Sequence, residues 1–338
     1  MADFTTRRTF LKKVGGSAAG LSLLGPSILH GRSPNSKLNV AGVGVGGMMG
    51  MGTLGPVGSH PQVNVAAICD VDENCLQGAA KHFPNARHYV DWREMLTKEG
   101  DKIDAITVAV PDHMHAAITV SACRAGKHVY CQKPMAHDVF EVRQMKIEAE
   151  KAGVVTQLGT QHASGIGDRM GVEMIRQGVI GKIKEVYMWS NRPGAIESYR
   201  LKGPRPAKGD AVPAHLKWDL WLGTAPERPF ANGIYHPVKW RAWIDFGTGW
   251  GGDIGCHIGS AVFKALDLTA PLRVQAQVQP EWASDAARRH DTWPQWQIIE
   301  WEFPGTAFTA GKTLKATWLD GMKWPSEEVH KIFENCNW

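Results

Sequence analysis

The sequence predicts an α/β fold in which a doubly wound parallel sheet is followed by an α/β domain with an open, mostly antiparallel sheet. Up to residue 131, short apolar runs rich in β-branched residues alternate with helical segments, an order typical of parallel sheets. A glycine-rich turn follows the first of these runs. Beyond residue 182, strand-like runs follow one another without helical crossovers, which favours antiparallel pairing.

Composition and charge set limits on the partners of the chain. The 338 residues are enough for two hydrophobic cores, and 43% hydrophobic with 21% charged residues is ordinary for a globular protein. Residues 1–37 hold six basic side chains against Asp3 and so account for the whole net charge of +5. The remainder of the chain is electrically balanced, so we expect no nucleic-acid partner.

The basic leader has the pattern of a twin-arginine (Tat) export signal. Arg7 and Arg8 precede a weakly apolar run from Val14 to Leu29, which is too short and too mild to span a bilayer. We therefore predict that residues 1–33 are a signal peptide and linker. The Tat machinery would export the chain to the periplasm or the cell envelope.

Residues 34–155 are predicted to form a Rossmann domain that binds a dinucleotide. Leu38–Val43 has the character of a buried strand, and the glycines after it turn the chain into a helix. The first amide N–H groups of such a helix can hold a pyrophosphate.

Two registers of the G-x-G-x-x-G motif compete at this turn. The literal match consists of Gly42, Gly44 and Gly47. The length of the strand favours Gly44 and Gly46, with Met49 in the third position. The sequence alone does not choose between them.

The second predicted strand, Val63–Cys69, ends at Asp70. A carboxylate there can accept hydrogen bonds from a ribose hydroxyl and would repel a 2′-phosphate, so NAD is favoured over NADP as the cofactor. Asp72 competes for the same role. A third strand, Ile103–Val110, is followed by Pro111 and a helix.

The last strand of this half must end at Lys133, because the proline after it cannot continue a ladder of hydrogen bonds. The Lys133–Pro134 peptide bond is open to either isomer. Open α/β sheets bind ligands beyond the carboxyl ends of their strands. The predicted cofactor-binding residues at these ends are Gly44, Gly46, Gly47, Asp70, Pro111, His115 and Lys133.

Residues 156–338 are predicted to form a substrate-binding domain. Its strands are expected near 183–189, 272–279, 295–303 and 314–318. The loop 191–217 is rich in proline and glycine and is too long for a passive connection, so it is a candidate wall of the site.

Polar residues in this half supply the candidate substrate contacts. One group follows the strand predicted at 154–158, and the other mixes aromatic rings with charges in residues 235–243. They are Gln161, His162, Tyr235, His236, Trp240 and Arg241. Asp253 and His257 are four residues apart and are expected on one face of a new helix, where a carboxylate suits a histidine that acts as a general base.

The cysteines and histidines predict neither a disulfide nor a metal site. The six cysteines have no C-x-x-C spacing and no paired cluster, so we expect most of them to be small buried side chains. His113 and His115 are near neighbours in sequence, but no set of ligands with metal-binding spacing stands out.

Taken together, the motifs resemble the glucose-fructose oxidoreductase, inositol dehydrogenase and rhizopine-catabolism family, written Gfo/Idh/MocA. The resemblance is to an exported branch with Cys-Gln-Lys-Pro instead of Glu-Lys-Pro. The matching stretches are the glycine turn, Pro111–Ala116, Tyr130–Pro134, Gly159–His162, Trp218–Gly223 and Gly251–His257.

The resemblance implies an NAD-dependent oxidoreductase that acts on a hydroxyl of a sugar, glycoside or polyol. Lys133 matches the family lysine that reaches the nicotinamide ribose and the substrate, while Asp253 and His257 match the substrate-binding acid and the base. Gln132 and Met49 depart from the family pattern. Trp338 falls about where relatives continue, so we expect either a fragment or a degenerate copy with a shortened second domain, or a sheet that closes by another route. An exposed edge of that sheet would favour association of copies.

Export sharpens these expectations, because no free NAD pool exists outside the cytoplasm to recycle the cofactor. We therefore expect a tightly bound cofactor. Two alternatives stay open: a redox-neutral cleavage of glycosides through a transient keto-sugar, and a carbohydrate-binding protein without catalytic activity.

Overall fold

The computed structural model describes residues 37–47, 49–201 and 203–332. The predicted Tat signal and Cys336 lie outside the described residues. From Leu38 onward the chain forms one compact unit. Among the described residues, no helix has the length and apolar character needed to cross a bilayer.

The first sheet is parallel and has the strand order β3-β2-β1-β4-β5-β6. Its strands are β1 (Leu38–Val43), β2 (Val63–Cys69), β3 (Arg87–Tyr89), β4 (Ala105–Val108), β5 (His128–Gln132) and β6 (Thr156–Gly159). This order is that of a doubly wound sheet and confirms the predicted Rossmann domain.

Helices connect these strands and cover the sheet. They are α1 (Gly50–Gly58), α2 (Glu73–Ala80), α3 (Trp92–Glu99), α4 (Asp112–Arg124) and α5 (Val139–Ala152). Three of these helices have an aspartate as the N-cap. The carboxylates of Asp72, Asp91 and Asp138 accept hydrogen bonds from amides in the first turn. The sequence prediction lacked β3 and α3, because a strand of three partly exposed residues has no apolar pattern.

The second sheet has the order β7-β10-β9-β8. Its strands are β7 (Glu185–Trp189), β8 (Arg273–Val278), β9 (Gln297–Pro304) and β10 (Thr313–Asp320). The pairs of β9 with β8 and with β10 are antiparallel, and β7 pairs with β10 in parallel. The mostly antiparallel sheet is therefore confirmed, with one parallel edge.

Further helices surround this sheet and the loops beside it. They are α6 (Ile166–Arg176), α7 (Ala195–Ser198), α8 (Trp218–Leu222), α9 (Gly249–Asp253), α10 (Gly255–Leu266), α11 (Pro280–Ser284), α12 (Ala286–Asp291) and α13 (Glu327–Lys331). Helices α6 and α10 pack on one face of the sheet, where Trp318, Phe303 and Leu266 form the core.

A separate, aromatic core lies in the long loop region between β7 and α10. Trp218, Trp221, Tyr235, Trp243 and Phe246 are all buried there. This region also attaches to the Rossmann domain: residues 215–217 run beside 71–73, with a backbone bridge between Asp72 and Leu216. The loop that was predicted to wall the site is thus fixed to the end of β2.

The packing of the Rossmann core can be tested by a substitution at Leu54 of α1. Its side chain is fully buried against Val40, Val65 and Ile68. We expect Leu54→Ala to lower the free energy of unfolding by about 2–5 kcal/mol, because it leaves a cavity. The exposed Leu272 is the matched control, and Leu272→Ala should change that free energy by no more than about 0.5 kcal/mol. Urea unfolding that gave equal losses for the two variants would contradict this placement of α1.

Candidate active site

The glycine turn after β1 is shaped by close backbone contacts. Gly44 has a φ of +74°, and a Cβ there would collide with the carbonyl group of Ala109. A Cβ on Gly50 would collide with the backbone of Val45, so α1 begins only where a glycine allows it to approach the strand. Met49 is the residue just before this helix. The glycine that lets α1 approach the strand is therefore Gly50, which neither predicted register of the motif used.

Asp70 braces this turn. Its carboxylate accepts hydrogen bonds from the amides of Val45 and Gly46, each at 2.9 Å, and from the amide of Asp72 at 3.0 Å. Burial raises the pKa of Asp70, and these hydrogen bonds oppose that effect. Asp72 caps α2 and accepts a 2.9 Å hydrogen bond from Nε2 of His236. Asp70 lines the cleft described next, and Asp72 does not.

One large cleft begins at the glycine turn and extends to the second domain. It has a volume of about 1020 Å³, including the solvent at its mouth. Gly44, Gly46, Gly47, Asp70, Pro111 and Lys133 line it from the Rossmann domain. His236, Trp240 and Arg241 line it from the second domain. The structure thus brings together most of the predicted cofactor-binding residues and half of the predicted substrate-binding ones.

Lys133 links the two domains. Its ammonium group donates to Oδ1 of Asp253 at 2.8 Å and to the main-chain oxygen of Asp253 at 2.9 Å. Nε of Arg241 lies 3.6 Å from the same carboxylate oxygen. The side chains of Lys133 and Asp253 are only 12% and 7% exposed. The Lys133–Pro134 bond, left open above, is cis.

His257 lies close to this pair but on a separate helix. Asp253 ends α9, Ile254 interrupts the helix, and α10 carries His257. The expectation that both residues share one continuous helical face was therefore wrong. Nδ1 of His257 is buried and has no hydrogen-bond partner, and the ring of His162 meets the ring of His257 edge-on at 5.4 Å.

The surroundings of His257 favour its neutral form. Burial lowers the pKa of His257, and the positive charges of Lys133 and His162 lower it further. The imidazole therefore carries no proton on its second nitrogen at neutral pH. A neutral imidazole is the form that can accept a proton from a hydroxyl group.

Asp112 is a site residue that the sequence prediction missed. It is fully buried in the first turn of α4 and lines the cleft. Oδ2 of Asp112 accepts hydrogen bonds from the amide and the hydroxyl of Thr248, at 3.2 and 3.0 Å. Burial, and then the negative charge of Asp253, raise the pKa of Asp112 to about 8. The sequence signal that could have identified Asp112 is its position directly after the proline that ends a predicted strand.

Two predicted site residues are scaffold residues. The side chain of Tyr235 is fully buried among the rings of Trp218, Trp243 and Phe246, so it cannot touch a substrate in the cleft. His115 is also buried and does not line the cleft.

His115 acts on the cleft through the backbone. Its ring nitrogens lie 2.7 Å from the carbonyl oxygen of Pro134 and 2.9 Å from that of Val110. Burial lowers the pKa of His115 to about 4. A neutral imidazole has one N–H, so His115 donates a hydrogen bond to one of these two carbonyl groups at a time and does not line the cleft.

The remaining predicted residues are at the surface. Gln161 and His162 belong to a short 3₁₀ helix, Gln161–Ser164, and both are exposed. Five cysteines are described, and all are free thiols. Within residues 37–47, 49–201 and 203–332, no three histidine, cysteine or acidic side chains are grouped so that they could hold a metal ion.

Comparisons with known proteins agree with this geometry. Residues 38–160 match a family model described as an oxidoreductase family with an NAD-binding Rossmann fold, and residues 172–305 match the C-terminal α/β domain of that family. A levoglucosan dehydrogenase from Pseudarthrobacter phenanthrenivorans is 26% identical over 140 residues, which are 40% of this chain and 35% of that one.

Two further relatives extend the comparison. A glycosyl hydrolase family 109 protein from Shewanella baltica is 28% identical over 208 residues, which are 52% of this chain and 44% of that one. This chain therefore matches less than half the length of either curated relative. The WlbA dehydrogenase from Bordetella pertussis, solved with NADH and UDP-GlcNAcA, superposes with a TM-score of 0.60 at 18% identity and covers 87% of this chain and 70% of that one.

The similarity to a solved structure supports the fold, and the two family models show to which family the chain belongs. Both models belong to one family, they match consecutive parts of the chain, and together they span most of it. The order of the two matches is also the order of the two sheets described above. The chain therefore belongs to the Gfo/Idh/MocA family of NAD-binding oxidoreductases.

Proposed function

We propose that the chain is an NAD-dependent oxidoreductase that acts on a hydroxyl group of a sugar, a glycoside or a polyol. The observation that carries this proposal is the position of Lys133. Its ammonium group lines the cleft that starts at the glycine turn, and it is paired with Asp253 from the other domain. A dinucleotide and a sugar in this cleft would both be within reach of one cation.

The residues of the cleft fit NAD. Gly44 and Gly50 give the close backbone approach that a pyrophosphate requires, and no side chain caps the N-terminus of α1. The carboxylate of Asp70 lines the cleft at the end of β2, which supports NAD over NADP. NAD, when bound, supplies an acceptor for the hydride that leaves the carbon bearing the hydroxyl group.

The protein residues handle the proton and the charge. Neutral His257 accepts the proton of the sugar hydroxyl, and the ammonium group of Lys133 stabilises the negative charge that develops on the oxygen. Asp253 keeps Lys133 in place through two hydrogen bonds. The sugar thus loses one proton and one hydride and becomes a ketone.

Export by the Tat machinery, a periplasmic or envelope location, and tight retention of NAD are parts of the same proposal. The leader supports export, and the absence of an external NAD pool supports retention. A retained cofactor must be restored after each turnover. This requirement leaves two reactions: oxidation paired with reduction of a second sugar, or redox-neutral cleavage of a glycoside. The similarity to a glycosyl hydrolase family 109 protein favours keeping the second reaction as an alternative.

Replacement of Lys133 tests the assignment of the site. We expect Lys133→Ala to lower kcat by at least about 100-fold, because the developing alkoxide loses its cation. The exposed Lys146 pairs with Glu150 of its own helix, so Lys146→Ala is the matched control and should keep full activity. The rates are measured by ketone formation from a glycoside panel. Full activity in Lys133→Ala would remove the assignment.

The pH profile tests the role of His257. Because the pKa of this residue lies below its ordinary value, kcat/KM should be level at neutral pH and fall only below about pH 6.5. His162→Gln removes the neighbouring imidazole that helps to lower the pKa of His257 and should therefore raise that pKa, so the acid limb moves to higher pH. His82→Gln, at an exposed position, is the control and should leave the profile unchanged. A limb that moved to lower pH in His162→Gln would exclude His257 as the base.

Product analysis separates the two reactions. The full chain is purified without added NAD, scanned for bound nicotinamide, and incubated with a chromogenic glycoside. Catalytic release of the aglycone supports redox-neutral cleavage, whereas a keto-sugar supports oxidation. A protein that holds no nicotinamide and changes no glycoside would instead be a carbohydrate-binding relative, and the proposed activity would be wrong.

A further inference from the structure

Strand β8 forms one edge of the second sheet. It pairs with β9 on one side, and no strand in the described part of the chain pairs with it on the other. Within the described residues, the outward backbone N–H and C=O groups of β8 form no hydrogen bond. Such a row of free groups is a template for pairing with a further strand.

The same strand is uncovered on both of its faces. Residues 273–277 are all exposed, whereas β7, β9 and β10 each have at least one buried residue. The core beneath α6 and α10 takes side chains from those three strands and none from β8. Val274 is 55% exposed, and Leu272, just before the strand, is 64% exposed. The strand therefore presents apolar surface to solvent in the single chain.

Strand β8 lacks the features by which edge strands usually resist association. Natural edge strands carry charges, prolines or bulges that block a further strand. The segment 274–278 contains no charged residue and no proline, and its ladder with β9 runs without a shift of register. At the opposite edge of the sheet, by contrast, β7 begins with Glu185 and places Met188 in the core. The edge at β8 is therefore the one that is open to pairing.

The side chains of β8 are complementary to themselves. The segment 274–278 has the sequence Val-Gln-Ala-Gln-Val, which reads the same in both directions. Two copies can pair antiparallel about a two-fold axis that passes beside Ala276 and is normal to the sheet. Each valine then lies opposite a valine, and each glutamine lies opposite a glutamine. Because side chains alternate along a strand, the valines share one face of the joined sheet and the glutamines share the other.

The two ends of the strand suit the same register. Pro271 and Pro280 lie just outside it and limit the length that can pair. The axis places Arg273 of one copy opposite Gln279 of the other, close to Glu281 in the first turn of α11. Arg273 and Glu281 are both exposed. The positive end of each strand thus meets the negative end of its partner, and such opposite charges attract each other.

We propose that β8 is a docking edge for a second copy of this chain, and that two copies join their four-stranded sheets into one continuous sheet. The two-fold axis keeps α6 and α10 of both copies on the same face of this sheet. A closed dimer of this kind leaves no β8 edge open to further copies. One strand edge gives a small interface, so the dimer forms and dissociates with concentration.

The open face of the sheet is the other surface on which two copies could meet. It is crossed by charged side chains, among them Lys315 and Glu300, whose ion pair is 2.5 Å long. The centres of protein interfaces are depleted in such charges. The unpaired and uncharged edge of β8 therefore fits a second copy better than the open face does.

Sedimentation velocity of the full chain tests the proposal. Over roughly 1–100 µM we expect the monomer to convert to a dimer as the concentration rises. Ala276→Lys should abolish the dimer throughout this range, because two like charges would meet at the axis. Ala152→Lys, at an exposed position in α5, is the matched control and should associate as the wild type does. A wild-type chain that stays monomeric, or association that Ala276→Lys does not reduce, would overturn the proposal.

Oxidative cross-linking tests the register. A residue beside the axis meets its own counterpart with the two Cβ atoms about 4.5–5.5 Å apart, so Ala276→Cys should form a covalent dimer with copper–phenanthroline. Val274→Cys should not, because its two copies lie about 13 Å apart along the strands. The wild-type chain controls for the native free thiols. Equal cross-linking of the two variants, or none in Ala276→Cys, would contradict the pairing.

A substitution on the open face separates the two surfaces. Lys315→Ala breaks the ion pair with Glu300 and should leave the dimer of the wild type intact in sedimentation velocity. A dimer that is lost in Lys315→Ala and kept in Ala276→Lys would place the interface on the open face and exclude the edge of β8. The far-UV circular dichroism of each variant should match that of the wild type, which shows that the chain remains folded.

Discussion

The ion pair between Lys133 and Asp253 is the contact on which the geometry of the cleft depends. Lys133 follows the last residue of β5, and Asp253 is the last residue of α9, so the pair joins the ends of two elements from different domains. The main-chain oxygen of Asp253 accepts a second hydrogen bond from the same ammonium group. Two bonds to one residue fix the height of α9 above the sheet as well as its orientation.

Such a pair is poor evidence for stability, because the desolvation of two charges offsets most of their attraction. The pair matters because it fixes the position of α9 relative to the end of β5. A second tie between the domains has the same effect: Asp112 of α4 accepts two hydrogen bonds from Thr248, the residue just before α9. Helix α9 is therefore fixed to the Rossmann domain at both of its ends, at Thr248 and at Asp253.

The sequence predicted the parallel Rossmann sheet correctly, and Lys133 lies at the strand end where it was expected, because parallel strands bring their carboxyl ends to one edge whatever the rest of the chain does. Contacts between distant segments could not be predicted in this way. Asp112 and Thr248, for example, are 136 residues apart in the sequence. Tyr235 and His236 are neighbours in one aromatic and charged run, yet one is buried in a core and the other lines the cleft. Composition does not tell which direction each side chain takes.

One positive field has two effects on the proposed reaction. The charge of Lys133 makes His257 a weaker base by lowering its pKa, and it also stabilises the alkoxide that forms when the base removes a proton. The two effects act on one proton transfer, because the oxygen becomes negative only to the extent that its proton moves to the imidazole, and Lys133 stabilises that charge as it develops. A neutral base beside a fixed cation therefore suits the removal of a proton from a group as weakly acidic as a sugar hydroxyl.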